Sequence, residues 1–206
     1  MDAPTIDFWI SIGSTCSYLS VMRIDDVAKA NNIRFRWRPF SVRAIMIEQN
    51  NIPFRDKPFK MNYMWRDIGR RAQMYQLPAR LPAPYPLREF DLANKVAIVG
   101  EDADWGKAYI RAAYRRWFQE GQEPGLEPNL SDSLREAGQD PAAIIEQARG
   151  APVERRYQQG TLEAKSLGIF GSPSFVVNGE IFWGDDRLDD AMDWLRQGRI
   201  RAVNSG

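Results

Sequence analysis

The chain has 206 residues, 44% of them apolar, enough for one or two domains with a sizeable core, and its formal net charge of +1 gives no bulk attraction to nucleic acid or to a membrane surface. It contains one cysteine and no histidine. That excludes an intramolecular disulfide, dithiol redox chemistry, a Ser-His-Asp triad and every His-containing zinc site, and no other metal site is expected.

The opening run MDAPTIDFWISIG lacks a basic region followed by a long apolar one, and no run approaches the ~18 apolar residues of a membrane span. A cytoplasmic protein is expected, or an organellar one in a eukaryote. TIDFWISIG reads as a buried strand bounded by Gly13. SIGSTCSYLS follows, a turn leading into the helix YLSVMRIDDVAKANN, whose residues Leu19, Met22, Ile24 and Val27 face a core. Ser14 or Ser17 can cap that helix. IRFRWRPF alternates Ile33, Phe35 and Trp37 with Arg34, Arg36 and Arg38, a half-buried strand stopped by Pro39. The first forty residues therefore read β-α-β.

The middle changes character. KMNYMWRDIGRRAQMYQ is a helical pattern, and LPARLPAPYPL a stiff loop with four prolines. EFDLANKVAIVGEDADW, GKAYIRAAYRRWFQEG, LSDSLREAG and DPAAIIEQARG are further helical segments, with Ser131 and Asp140-Pro141 marking starts. The C-terminal part returns to α/β: the helix APVERRYQQGTLEAKSLG ended by Gly168, two apolar runs around Asn178-Gly179, a strong hairpin signal, and a last helix with Leu188, Met192 and Leu195 on one face. The layout is a thioredoxin-like α/β domain, residues 1–41 plus 152–206, interrupted by a helical insertion over 42–151.

Within that layout, FWISIGSTCSYLS, NNIPFRDKPFKMNYMWRDI and GIFGSPSFVVNGEIFWGDDRLD, in that order and spacing, resemble the DsbA-like thioredoxin superfamily. More narrowly they resemble its kappa-class glutathione transferases and 2-hydroxychromene-2-carboxylate isomerases. The resemblance covers most of the chain. It implies Ser14 as the reactive serine, where redox relatives carry their first cysteine. It implies that Ser172 and cis-Pro173 pair through backbone with the cysteinyl unit of glutathione, and that Asp185 and Asp186 sit near its amino end. Asn51 and Lys60 would hold glutathione or the second substrate. The chain departs from the family pattern at Thr15, usually proline, and at Asp185, usually uncharged.

The chemistry fits the composition. Glutathione brings its own thiol, so a protein that stabilises the thiolate needs no histidine. A hydroxyl at a helix N-terminus donates one hydrogen bond to sulfur while the helix dipole favours negative charge. Lowering a thiol pKa by one or two units from about 8.5 takes ~1.4–2.8 kcal/mol. Alone, Ser14 reads as a helix cap; with the other pieces it reads as the thiol partner. Ser17 reads as a cap or first-turn residue, Cys16 as a small buried hydrophobe, and Asp186 as a cap of the last helix. Lys60 or Arg43 can meet a substrate carboxylate, with Lys57 and Arg66 as rivals. Tyr85, held between prolines, can wall an aromatic pocket. Trp65, Trp117 and Tyr114 read as helical core.

By resemblance, the expected activity is a glutathione-dependent isomerisation of a small aromatic carboxylate. The alternatives are a kappa-like transferase acting on electrophiles and a non-catalytic glutathione- or peptide-binding module. A homodimer is expected.

Overall fold

The computed structural model describes residues 3–201. Strand β1 (Thr5–Ile10) runs through the middle of a four-stranded sheet of order β2-β1-β3-β4, parallel to β2 (Arg34–Pro39) and antiparallel to β3 (Ser174–Val177), which pairs with β4 (Glu180–Trp183). The register sets Phe8 against Trp37 on one side and Phe175 on the other. Successive side chains on a strand point to opposite faces. Ile6, Phe8 and Ile10 therefore enter the main core, while Trp9 packs on the other face with Phe40, Val42, Ala164 and Val176.

The β-α-β reading of the first forty residues holds. Helix α1 (Ser17–Asn31) ends where Asn32 takes a left-handed φ of 51°, and Arg34 and Arg36 are exposed while Phe35 and Trp37 are buried. Asn178 and Gly179 have φ of 51° and 86°, the two left-handed positions a tight hairpin of this hand requires.

Between the strands lie α2 (Val42–Glu48), α3 (Pro58–Met74), α4 (Leu92–Val99), α5 (Asp104–Arg115, continued by a π-helical turn over Arg116–Glu120), α6 (Asn129–Glu136), α7 (Pro141–Arg149) and α8 (Ala151–Ser166); α9 (Leu188–Gln197) closes the chain. One apolar core runs from Phe8 and Phe175 of the sheet into Tyr109, Trp117 and Leu134 of the helical middle. Asp140 caps α7 as expected, accepting from Ala142 N–H. Ser131 does not open α6. The helix starts two residues earlier, and the Ser131 hydroxyl instead donates to Glu127. Helix α2, capped by Ser41, has no counterpart among the sequence-predicted elements; at 7 residues it is too short to show a periodicity.

Candidate active site

Residues 11–16 form the turn between β1 and α1, and three other serines converge with Ser14 there. The Ser14 hydroxyl donates to the Ser172 carbonyl at 2.5 Å. Ser11 N–H donates to Ser172 Oγ at 2.9 Å, and the Ser17 and Ser172 hydroxyls lie 2.9 Å apart. Neither Ser14 nor Ser17 caps α1, contrary to the sequence expectation. Cys16 holds the cap position with no side-chain bond, because both hydroxyls are engaged by Ser172 across the turn. The Ser172–Pro173 peptide is cis, as the resemblance implies.

The inserted helices fix this turn from outside. Asn94 of α4, fully buried, accepts from Ile12 N–H at 2.7 Å and donates to the Ile12 and Phe90 carbonyls at 2.8 and 2.9 Å. Tyr114 Oη lies 3.0 Å from the Ser11 carbonyl and 3.1 Å from that of Ser14. Gly13 has a φ of 125°, and a Cβ there would fall 2.6 Å from the Phe90 ring, so only glycine fits. Arg43 lies over the same Phe90 ring, its guanidinium 4.7 Å from the centroid. Thr15, at the position the resemblance usually gives to proline, is buried and sets its hydroxyl 3.0 Å from Met64 Sδ of α3.

Behind the turn lies a cleft of about 220 Å³ lined by Cys16, Ser172, Pro173, Asp185, Asp186 and, from α3, Asp67 and Arg71. The structure thus gathers Ser172, Pro173 and the Asp pair in one lining, which Ser14 does not join but meets through its bond to the Ser172 carbonyl. Burial pushes the Cys16 thiol up to about 11; the carboxylates of Asp185, Asp67 and Asp186 add to this, and the Thr15 hydroxyl opposes it. The thiol is protonated at neutral pH.

The two aspartates differ. Asp185 is buried, accepting at Oδ1 from Ser20 Oγ at 2.8 Å and from Arg23 Nη2 at 3.0 Å. Its Oδ2 is buried with no hydrogen-bond partner among the described residues. Asp186 is exposed beside Arg187 at 3.5 Å. It does not cap α9; the cap position falls to Arg187, since a short 3₁₀ turn over Asp185–Arg187 intervenes. A charged residue at 185, unusual for the family, is matched by Arg23.

The residues expected to hold the second substrate are spread along α2, α3 and the proline loop. Asn51 and Lys60 are exposed and lie outside the cleft lining. Lys60 is in the first turn of α3 rather than in a loop, its Nζ 5.8 Å from the Phe54 centroid. Tyr85 packs edge-on to Phe54 and Trp65 at 5.9 and 6.2 Å and walls a cavity of about 550 Å³. Burial raises its phenol pKa, with Arg43 opposing. Trp117 is core as read, but Trp65 is half-buried and lines that cavity. Sequence reasoning missed Asp67, Arg71, Asn94 and Arg23, and took Tyr114 for core alone. An amide inside the apolar run LANKVAIV is a usable signal, because such a group is buried only with partners. The α3 pair, separated by four positions and 3.8 Å apart, carries no signal beyond a surface ion pair.

A sheet of this order, with a turn at the head of α1 facing a cis-proline, defines a thioredoxin-type protein, here without a redox pair. The DsbA-like thioredoxin domain profile matches residues 5–196, and the chain belongs to that family. It is 29% identical over 193 residues to a 2-hydroxychromene-2-carboxylate isomerase of Sphingobium xenophagum, spanning 93% of this chain and 97% of that one. It is 24% identical to glutathione S-transferase kappa 1 of Caenorhabditis elegans over 94% and 92% of the two chains. The solved structure of a 2-hydroxychromene-2-carboxylate isomerase superposes with a TM-score of 0.81 at 26% identity, covering 94% and 97%. The disulfide reductase DsbM of Pseudomonas aeruginosa, solved with GSH, shares the fold alone, at 16% identity and a TM-score of 0.62 over 94% and 98%. The expected fold and both resemblances are borne out, and the chain is an isomerase-like enzyme. No helix among the described residues is long and apolar enough to cross a membrane.

Proposed function

We propose that the chain is a glutathione-dependent isomerase of a small aromatic carboxylate, interconverting 2-hydroxychromene-2-carboxylate and its open-chain trans-o-hydroxybenzylidenepyruvate form. The observation that carries this is Ser14, a half-buried hydroxyl at the head of α1 set against Ser172, in a chain with no histidine and no second cysteine. The lining of the cleft supports a thiol peptide as its occupant. Asp185 Oδ2, without a partner among the described residues, the exposed Asp186 and the Arg71 guanidinium suit an end that carries both an ammonium and a carboxylate. The Ser172 N–H, with no partner among the described residues, suits a peptide carbonyl.

When bound, glutathione would supply a thiolate that adds reversibly to the conjugated double bond and leaves after rotation, with no net oxidation. Ser14 donates its hydroxyl proton toward sulfur, and the α1 dipole favours the negative charge. Pro173, Ser172 and the Asp185–Asp186 end orient the peptide. Asn51, Lys60 and Arg43 hold the substrate carboxylate, and Tyr85 faces its ring. Residues 42–151, the inserted helical domain, thereby furnish the substrate side. A cytoplasmic homodimer serving aromatic catabolism completes the reading. The similarity to a kappa-class transferase supports a second one, thiol addition to an electrophile without release. Turnover of the chromene with and without glutathione, against a generic electrophile, tests both. Glutathione-independent chromene turnover, or none, overturns the first.

A further inference from the structure

The segment that carries Tyr85 has four prolines among residues 77–87, so it owns few N–H groups with which to anchor itself. Three hydrogen bonds tie residues 78–86 to other described parts of the protein, and each ends at or beside the π-helical turn that closes α5. The Tyr18 hydroxyl donates to the Pro78 carbonyl and accepts from Gln119 Nε2 at 3.2 Å, while its ring stacks on Phe118 at 4.2 Å. Arg80 N–H donates to the Phe118 carbonyl at 2.6 Å, one of the last four carbonyls of the helix, which find no partner within it. Trp117 Nε1 donates to the Pro84 carbonyl at 2.8 Å. Turns of this wide kind recur at functional sites, and this one clamps the proline segment.

Trp117 is fully buried, its ring 4.8 Å from that of Phe118 and 5.5 Å from that of Tyr114. Phenylalanine fills such a place with no polar atom to satisfy, so what the indole adds is its N–H. The carbonyl it holds belongs to the same planar peptide unit as the Tyr85 nitrogen. Fixing one edge of that plane fixes the direction in which the Tyr85 side chain leaves the backbone. We propose that Trp117 is a positioning residue, which sets the Tyr85 ring against the substrate through the Pro84–Tyr85 peptide. The proposal rests on the isomerase reading, in which Tyr85 faces the substrate ring.

Steady-state kinetics of the full chain at saturating glutathione give kcat and KM for 2-hydroxychromene-2-carboxylate. Trp117→Phe keeps an aromatic ring in the core and removes the N–H. Its KM should rise about 3- to 10-fold, the worth of one buried hydrogen bond, with kcat and the glutathione KM within about twofold of the unaltered protein. In a Tyr85→Ala background, where KM is already raised, Trp117→Phe should add less than about 1.5-fold, because the two residues act as one unit. An unchanged KM in Trp117→Phe, a rise that multiplies with that of Tyr85→Ala, or a matching decline in kcat and in both affinities with a lowered Tm overturns the positioning role and leaves the isomerase reading in place. No chromene turnover by the unaltered protein, or a Tyr85→Ala enzyme of unaltered KM, overturns that reading and the proposal with it. Should Trp117→Phe not fold by circular dichroism, benzothienylalanine at position 117, which puts sulfur where the N–H stands at nearly the same volume, decides in the same sense.

Discussion

The Ser14 hydroxyl and the Ser172 carbonyl are hydrogen-bonded across 158 positions of the chain. A hydroxyl has one proton, so donation to this carbonyl and donation to a thiolate exclude each other. Turning toward sulfur exchanges a neutral bond, worth about 0.5–1.5 kcal/mol, for a charge-assisted one, worth about 1.5–3 kcal/mol. The exchange is favourable by about 1 kcal/mol and frees the Ser172 carbonyl for a peptide N–H. The same geometry explains why Ser14 does not cap α1.

On this account Ser14→Ala should lower glutathione-saturated turnover by about 10- to 150-fold near neutral pH, with the fold unchanged. The deficit should narrow as pH rises past the free thiol pKa of about 8.5, where solvent supplies thiolate unaided. Glutathione affinity should fall less than turnover, because the Ser172 backbone and the Asp185–Asp186 end are intact. The pH profiles of the two proteins decide it. Equal rates from about pH 6 to 9 would reduce Ser14 to a structural hydroxyl.

Asp185 and Asp186, adjacent in sequence, should separate in experiment. Arg23→Gln leaves the buried Asp185 carboxylate without its counter-charge, a change that typically costs about 3 kcal/mol or more. For a chain of this length that is a drop of roughly 6–12 °C in Tm. Asp186→Asn touches an exposed side chain and should shift stability by less than about 0.5 kcal/mol, while weakening glutathione binding several-fold. Thermal melts of both variants with a glutathione titration provide the check. A stable Arg23→Gln protein would show that Asp185 has a different source of support.

Much of this fold was legible because local and tertiary preferences agree. The alternation of Arg34–Arg38, the Asn178-Gly179 turn and the Asp140-Pro141 start each have one physical reading, and the structure follows it. Ser14 was legible as a site only through the order of the pieces around it. What lay out of reach was contact across the insertion. Nothing in STCSYLS indicates that Ser172 would take the hydroxyls of Ser14 and Ser17, more than 150 positions away. Ser131 and Asp186 satisfy the pattern of a helix cap, yet a helix begun two residues early and an intervening 3₁₀ turn displace them. Asn94 and Tyr114 sit in apolar stretches, and which backbone groups they satisfy is set by the packing of α4 and α5 on the turn.

Asn94 gives the third expectation. Asn94→Ala leaves the Ile12 N–H and carbonyl unpaired in the interior, a loss of roughly 2–4 kcal/mol. Asn94→Asp should be at least as damaging, since a carboxylate accepts from Ile12 N–H but cannot donate to the Ile12 and Phe90 carbonyls. In protein that still folds, kcat should fall with KM little changed, because the turn carrying Ser14 loosens while the glutathione contacts elsewhere persist. A variant whose stability drops while its kcat holds would restrict Asn94 to folding.

Cys16 supplies the last test. Its folded pKa of about 11 lies above its unfolded value, so the folded thiol keeps its proton where the unfolded one has lost it. The associated stability is fully present below about pH 9 and is lost as pH rises toward 11. At pH 8 only about one folded thiol in a thousand is ionised, against about one in ten for a thiol of pKa 9. Alkylation by iodoacetamide should therefore run roughly a hundredfold slower than in the urea-unfolded chain, with a rate that climbs tenfold per pH unit through pH 10. Cys16→Ala should retain most isomerase activity, because a protonated thiol beside Ser172 neither competes for the substrate nor supplies a base. Alkylation of folded protein at the unfolded rate, or near-total loss of turnover in Cys16→Ala, would make Cys16 an ionised member of the site and displace Ser14 from its role.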